Sequence, residues 1–409
     1  MSFLYQIARS SYLAALCLGV FTVAHAQSSE KYEALELCEL SAAGGRITTQ
    51  ARCGSLTVTE DPWAESDEAR TIELAYAILP ARSGQSLPDP IFFLAGGPGQ
   101  SARDMAPVMR GPLRDLSANR DLIFLDQRGT GGSNRLDCQA SGSDEDWINP
   151  DPARAVEILK GCMENWDADL RFYTTTAAAY DLDALRAHLG FESINLVGGS
   201  YGTRLGQVYL KEFPDRVRTA ILDGIAPMRL ALGSEHGPSL DQALGNIIEA
   251  CEGDDACNEA FPNLASAFET LKADYDQWDN GPLITVTHPR RGEAMDLSFT
   301  RSVLATALRF LAYDPSTQML LPYLIHEAAT TGQPNRIATQ AIIVGEQMDD
   351  AIAVGLNFSV GCAEDWPIWP TDSDVSQTLL GDMIGELYEA VCPSVSVLPV
   401  DEAFHAPYQ

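Results

Sequence analysis

Ile194-Asn195-Leu196-Val197-Gly198-Gly199-Ser200-Tyr201-Gly202-Thr203 is the stretch on which the reading of this chain turns. Ile194 to Val197 is a short continuous apolar run, as in a strand buried on both faces. After the glycines, Leu205, Val208 and Tyr209 recur at helical spacing until Pro214 closes the pattern. Gly198-x-Ser200-x-Gly202 therefore lies between a strand and a helix, the setting a nucleophile elbow requires. There the serine occupies a strained turn with its hydroxyl above the sheet, and side chains at either glycine would strike the adjacent strand and helix. The pentapeptide alone is common. Its setting makes Ser200 the candidate nucleophile.

The same punctuation runs through the flanking chain. Residues 53–60 and 71–81 read as strands, joined by a polar connection from Asp61-Pro62 to Glu68. Pro90 to Leu94 is a buried strand ending in Ala95-Gly96-Gly97-Pro98-Gly99, and Leu122 to Leu125 is another, ending in Asp126-Gln127-Arg128-Gly129. From Thr176 to Leu189 the period is helical, with Leu182, Leu185 and Leu189 on one stripe. Ala220 to Leu222 gives one more strand, closed by Asp223-Gly224. Short apolar strands alternating with helices predict an α/β fold with a mostly parallel sheet covered on both faces. From about Met228 to Val354 the pattern turns helical and polar-faced, with a hairpin around 285–295, and reads as an inserted cap. The expected organisation is a core over 27–227, a helical cap over 228–355, and a return toward the core over 356–409, through Phe358-Ser359-Val360-Gly361-Cys362.

Acyl transfer through a serine needs donors for the developing oxyanion. The elbow supplies the N–H after the nucleophile, that of Tyr201, and an earlier strand loop supplies a second, for which Gly97 is the candidate. Asp126 and Arg128, a carboxylate two residues from a guanidinium in a glycine turn, read as a loop pin and not as catalytic groups.

These residues carry a resemblance. Gly96-Gly97-Pro98-Gly99-Gln100-Ser101, Asp126-Gln127-Arg128-Gly129-Thr130-Gly131 and Gly198-Gly199-Ser200-Tyr201-Gly202-Thr203 together resemble the proline iminopeptidase and tripeptidyl aminopeptidase family of α/β-hydrolases. Tyr173-Thr174-Thr175, Asp181-Leu182-Asp183 and Leu222-Asp223-Gly224 extend the likeness, which covers nearly everything from Cys38 onward. Ala95 departs from it, since many proline iminopeptidases have a histidine there. The resemblance implies the α/β-hydrolase fold and cleavage at the N-terminal end of peptides, without metal or organic cofactor. It also implies a cap whose acidic residues hold the substrate's free amino group. Glu364 and Asp365, where the chain leaves the cap, are the candidates for that role, with solvated loop residues as the alternative.

Residues 1–26 read as a secretory signal peptide: Arg9, an apolar run from Tyr12 to Val23, then Ala24-His25-Ala26 as a small-x-small cleavage site. The run is shorter than the roughly 20 residues that span a bilayer, and no later stretch is apolar enough to do so. Periplasmic or secreted placement follows. Cys17 falls within the discarded peptide, leaving eight cysteines, an even count that in an exported chain points to disulfides. No Cys-x-x-Cys pair occurs and no histidine falls at ligand spacing beside a cysteine, which argues against a metal site. Neighbours in chain order close small, sterically undemanding loops, predicting Cys38–Cys53, Cys138–Cys162, Cys251–Cys257 and Cys362–Cys392. A net charge of −30 repels nucleic acid and anionic membrane; most of it reads as a solubilising surface, with a minor component that attracts cationic substrates such as free amino termini.

The base is harder to place. Chain order demands an acid and then a histidine after the serine, and His236, His288, His326 and His405 are the histidines downstream of Ser200. His236 and His326 fall in the helical insertion and His288 in a polar hairpin, whereas His405 follows the apolar Val395–Val400 run. Ser200, Asp365 and His405 satisfy the order. The resemblance argues otherwise: in the family a stretch like Cys392 to Pro407 precedes two further strands that carry the acid and the histidine, so the chain is expected to be an incomplete version of a longer hydrolase. Three functions remain open from the sequence: an exported serine aminopeptidase, an esterase-like hydrolase on the same site, and a non-catalytic peptide-binding protein on a hydrolase scaffold.

Overall fold

The computed structural model describes residues 32–42, 44–66, 68–138, 148–149, 151–276, 280–371 and 375–406. The segment read as a signal peptide lies outside the described residues. The chain forms two compact units. The first takes the described residues up to Gly96, then 101–134 and 176–225; the second takes 97–100, 135–175 and the described residues from Ala226 onward.

The first unit is built on a seven-stranded sheet in the order β1-β2-β3-β5-β4-β6-β7. β1 (Glu36–Ser41), β2 (Thr48–Thr59) and β3 (Thr71–Leu79) form an antiparallel meander, and β3 pairs antiparallel with β5 (Leu122–Leu125). From β5 the sheet is parallel through β4 (Ile91–Leu94), β6 (Ile194–Gly199) and β7 (Val217–Asp223). Every residue of β4 and β5 is buried, as their unbroken apolar sequences require. One face packs Ala77, Ile91, Phe93, Leu122 and Phe124 against Ala102 and Ala106 of the helix Ala102–Met109. Ser101 caps that helix by accepting the Asp104 N–H.

β7 differs from expectation. Its Ala-Ile-Leu run reads as a covered strand, yet most of β7 is exposed and Ile221 is 50% exposed. β7 ends the strand order, and its outer edge pairs with none of the described strands.

The second unit is largely helical. Leu240, Leu244, Ile248, Leu304, Leu308, Ile325 and Ile342 bring the apolar stripes of several helices into one core. The expected hairpin is present as β8 (Leu283–Thr287) and β9 (Ala294–Ser298). The boundary expected after residue 227 falls between Ile225 and Ala226. Residues 356 onward contain helices and no strand among the described residues, and they group with this unit; the expected return to the sheet is not seen there. Phe358 to Val360 lie on a helix, Val354–Val360, because the segment has the spacing of a buried helix as well as that of a strand.

The four disulfides join neighbours in chain order, Cys38–Cys53 in the first unit and Cys138–Cys162, Cys251–Cys257 and Cys362–Cys392 in the second. Among the described residues no helix is long and apolar enough to cross a membrane, and no cluster of three metal-ligating side chains occurs.

Candidate active site

Ser200 stands at the junction of β6 and the helix Tyr201–Glu212, with φ 54° and ψ −129°. A non-glycine residue there is strained and persists only when its surroundings over-determine it. The surroundings are visible. A Cβ on Gly198 would lie 2.6 Å from Gly202 O, and one on Gly202 would collide with Leu94 O and lie 2.8 Å from Ala95 O. Only glycines let strand, helix and the end of β4 come this close. The Ser200 N–H donates to Asp223 O at 3.0 Å, which ties the turn to the end of β7. Leu205, Val208 and Tyr209 bury the inner stripe of the helix, while Ser200 itself is exposed. Ser200 therefore sits, exposed, on a tight turn between strand and helix.

Tyr201 begins the helix with its side chain fully buried, and its N–H belongs to the first helical turn. Gly97 lies in the short piece 97–100 that groups with the second unit. That piece is held on both sides of Gly99: Pro98 O accepts Asn357 Nδ2 at 3.1 Å and Gly99 O accepts the Ala353 N–H at 2.9 Å.

Asp126 and Arg128 pin the first unit, but through separate partners. Asp126 accepts Ser101 Oγ at 2.8 Å and the N–H groups of Arg103 and Gly132, each at 2.9 Å. Burial pushes its carboxyl above the usual range, and those donors oppose the rise. Arg128 points elsewhere. Its guanidinium grips both oxygens of Asp181 at 2.7 Å and donates to Glu60 O at 2.5 Å, with the arginine fully buried.

Glu364 and Asp365 lie on a π-helical turn, Gly361–Asp365, and both are fully buried, so neither is a solvated loop residue. Glu364 accepts the Thr175 N–H and Oγ1, each at 2.7 Å, and Asp365 Oδ1 accepts the Leu232 N–H at 2.8 Å. The Tyr173-Thr174-Thr175 motif is thereby joined to the candidate acidic pair, a link that 189 residues of separation hid in the sequence.

The histidines of the second unit have distinct partners. His288 Nδ1 accepts the N–H groups of Arg290 and Arg291, and its Nε2 lies 3.6 Å from Glu346, so it staples the β8–β9 hairpin. His326 packs against Phe261. His405 Nδ1 lies 2.7 Å from Met228 O. A carbonyl only accepts, so Nδ1 carries the proton and a neutral ring offers Nε2 as its basic atom. His236 Nδ1 lies 2.8 Å from the Arg309 guanidinium, which only donates.

Burial and Arg309 pull the His236 pKa down to about 3. The unfolded chain, with histidine near 6.5, then binds the extra proton over the window between these values, so stability falls as pH drops through it. Between pH 7 and pH 4 this one group should remove roughly 3 kcal/mol. His236→Gln keeps an acceptor for Arg309 but does not titrate, and urea unfolding of this variant should show a shallower acid dependence by about that amount. Parallel pH profiles for variant and wild type would show that His236 is protonated in the fold.

Comparison with known proteins agrees with this fold. A family model for the α/β hydrolase fold matches residues 89–254. Serine protease Hip1 of Mycobacterium tuberculosis (strain ATCC 25618 / H37Rv) is 28% identical over 306 residues, which are 68% of this chain and 56% of that protein. The tripeptidyl aminopeptidase of Streptomyces coelicolor is 30% identical over 211 residues, 46% of this chain and 37% of its own. A Mycoplasma pneumoniae protein named as a proline iminopeptidase is 30% identical over 157 residues, 34% of this chain and 51% of its own. The matched stretches cover between 37% and 56% of these relatives' own lengths.

Proposed function

From a chain that has the α/β-hydrolase fold and resembles the proline iminopeptidases and tripeptidyl aminopeptidases, we propose an exported serine aminopeptidase that removes residues from the N-terminus of peptides. The observation that carries this reading is the strained, exposed Ser200 between β6 and its helix, with Gly202 seated on the end of β4. Ser200 Oγ attacks the scissile carbonyl carbon and gives its proton to a base. The Tyr201 and Gly97 N–H groups take the developing oxyanion. The amine leaves with a proton, and water then releases the acyl group from Ser200. Four disulfides support a periplasmic or secreted setting, since such bonds persist in oxidising compartments.

We assign the substrate's free amino group to the Glu364–Asp365 pair. Two adjacent buried carboxylates are costly, and a bound ammonium would offset part of that cost. The net charge of −30 favours the same class of substrate. Release of a chromogenic amine from aminoacyl and tripeptidyl anilides with a free N-terminus tests the activity; faster hydrolysis of short-chain esters would support an esterase instead. Tight peptide binding without turnover would support a non-catalytic binder. In the variant Glu364→Gln/Asp365→Asn, KM for free-amine substrates should rise by an amount worth roughly 1.5–3 kcal/mol. Blocked substrates, where cleaved, should be nearly unaffected. Equal losses on both would show that the pair only anchors Thr175 and Leu232.

A further inference from the structure

Ser200 and Tyr201 share one peptide unit: the carbonyl oxygen is that of Ser200 and the N–H that of Tyr201. The unit is planar and trans, so fixing the direction of the oxygen fixes the direction of the N–H. Thr203 supplies two donors to that oxygen, its own N–H at 2.9 Å and its Oγ1 at 2.6 Å. The backbone donor would be present with almost any residue at position 203. The hydroxyl donor is particular to threonine or serine. Thr203 is fully buried, so its hydroxyl is shielded from water even though Ser200 is exposed.

We infer that Thr203 is a positioning residue for the oxyanion donor, its hydroxyl holding the Ser200 carbonyl so that the Tyr201 N–H keeps its aim. The inference rests on the reading of Ser200 as the nucleophile. A threonine hydroxyl often bonds a carbonyl one turn back in a helix, with no more than a local effect. Here the carbonyl belongs to a residue with φ 54°, outside the helical region. Strain at Ser200 favours rotation of its flanking peptides toward relaxed geometry. The Asp223 carbonyl restrains the peptide before Ser200 by accepting the Ser200 N–H, and Thr203 restrains the peptide after it. A donor on the carbonyl oxygen also polarises the peptide and makes its N–H a better donor, because hydrogen bonds in a chain reinforce one another. Both effects act when negative charge develops on the substrate oxygen, and neither contributes to binding the uncharged ground state.

The test compares wild type with Thr203→Val, which keeps the shape and deletes the hydroxyl, and Thr203→Ser, which restores it. A fluorophosphonate probe reports attack by Ser200, and a peptidyl anilide reports turnover. Thr203→Val should slow phosphonylation and lower kcat by roughly ten- to a hundredfold, the range for weakening an oxyanion donor, with KM changed by less than about twofold. Thr203→Ser should return both rates to near wild type. If the valine variant shows a lowered Tm, Thr203→Ala removes the same donor without the branched methyl groups. Hydroxyl-free variants that fold and phosphonylate at the wild-type rate, with wild type itself reactive, would overturn the positioning role alone. A wild type that carries its catalytic acid and histidine and is still left unlabelled by the probe would remove the serine-nucleophile reading and this role with it.

Discussion

On the proposed reading of Ser200 as nucleophile, in a protein that also carries the catalytic acid and histidine, Ser200→Ala should abolish turnover while leaving the fold in place. Removing a serine nucleophile that acts as one unit with its base lowers kcat by about four to six orders of magnitude, and the activity left over comes from the oxyanion donors and binding. KM should change little, because Oγ forms its decisive bond only on the way to the acyl-enzyme. Stability should respond differently. Ser200 holds φ 54°, a conformation that costs a non-glycine residue on the order of 1–3 kcal/mol. Alanine there keeps the strain, so its Tm should match wild type. Ser200→Gly should relieve strain and gain up to about 1 kcal/mol in urea unfolding while losing activity as fully as alanine. Kinetics on a free-amine tripeptidyl anilide, with labelling by a fluorophosphonate, decides the first part. Turnover of the alanine variant above about one per cent of wild type would assign the nucleophile elsewhere.

How far the elbow was legible depended on punctuation. β4, β5 and β6 are short apolar runs that each stop at a glycine-bearing turn, so their position and burial could be read directly. β1 was not: Glu-Leu-Cys-Glu-Leu-Ser carries two carboxylates, and five of its six residues are at least partly exposed, so hydropathy gives it no edge over a loop. The helix Pro152–Met163 had its signals, Asp151 as cap and Pro152 in the first turn, but its buried face is only Leu159 and Cys162. The candidate acidic pair was found by its place after the cap, while its full burial was not, because burial of a charge depends on donors far away in sequence, Thr175 and Leu232. The same limit applies to the Asp-Gln-Arg-Gly turn. Two residues of spacing suggested a local pair, but the turn that follows β5 sends the two side chains into different surroundings. Asp126 turns to Ser101, Arg103 and Gly132, and Arg128 reaches Asp181 across 53 residues.

Arg128→Leu should destabilise the protein by about 3–5 kcal/mol, the usual cost of removing one partner from a buried ion pair. Both partners are almost wholly enclosed, with side-chain exposures of 0% and 2%, and the guanidinium makes two parallel bonds of 2.7 Å to the Asp181 carboxylate. Such a pair repays its desolvation only while it is complete. Without Arg128, burial dominates at Asp181 and pushes its carboxyl up, so the variant must either hold an uncompensated charge or take up a proton. The sign of the pH dependence follows. A carboxyl raised in the fold binds more protons there than in the unfolded chain, so stability falls as pH rises. The deficit of Arg128→Leu should therefore be largest near pH 7 and shrink toward pH 4. Adding Asp181→Leu should remove that dependence and recover most of the loss, since apolar replacement of a whole buried pair is often close to neutral. Recovery should stop about 1–3 kcal/mol short, because Glu60 O also loses the donor that Arg128 supplied at 2.5 Å. Urea unfolding of both variants at the two pH values measures every term. A single variant within about 1 kcal/mol of wild type at pH 7 would show that the turn is held by the Asp126 bonds alone and that the Arg128–Asp181 pair contributes no net stability.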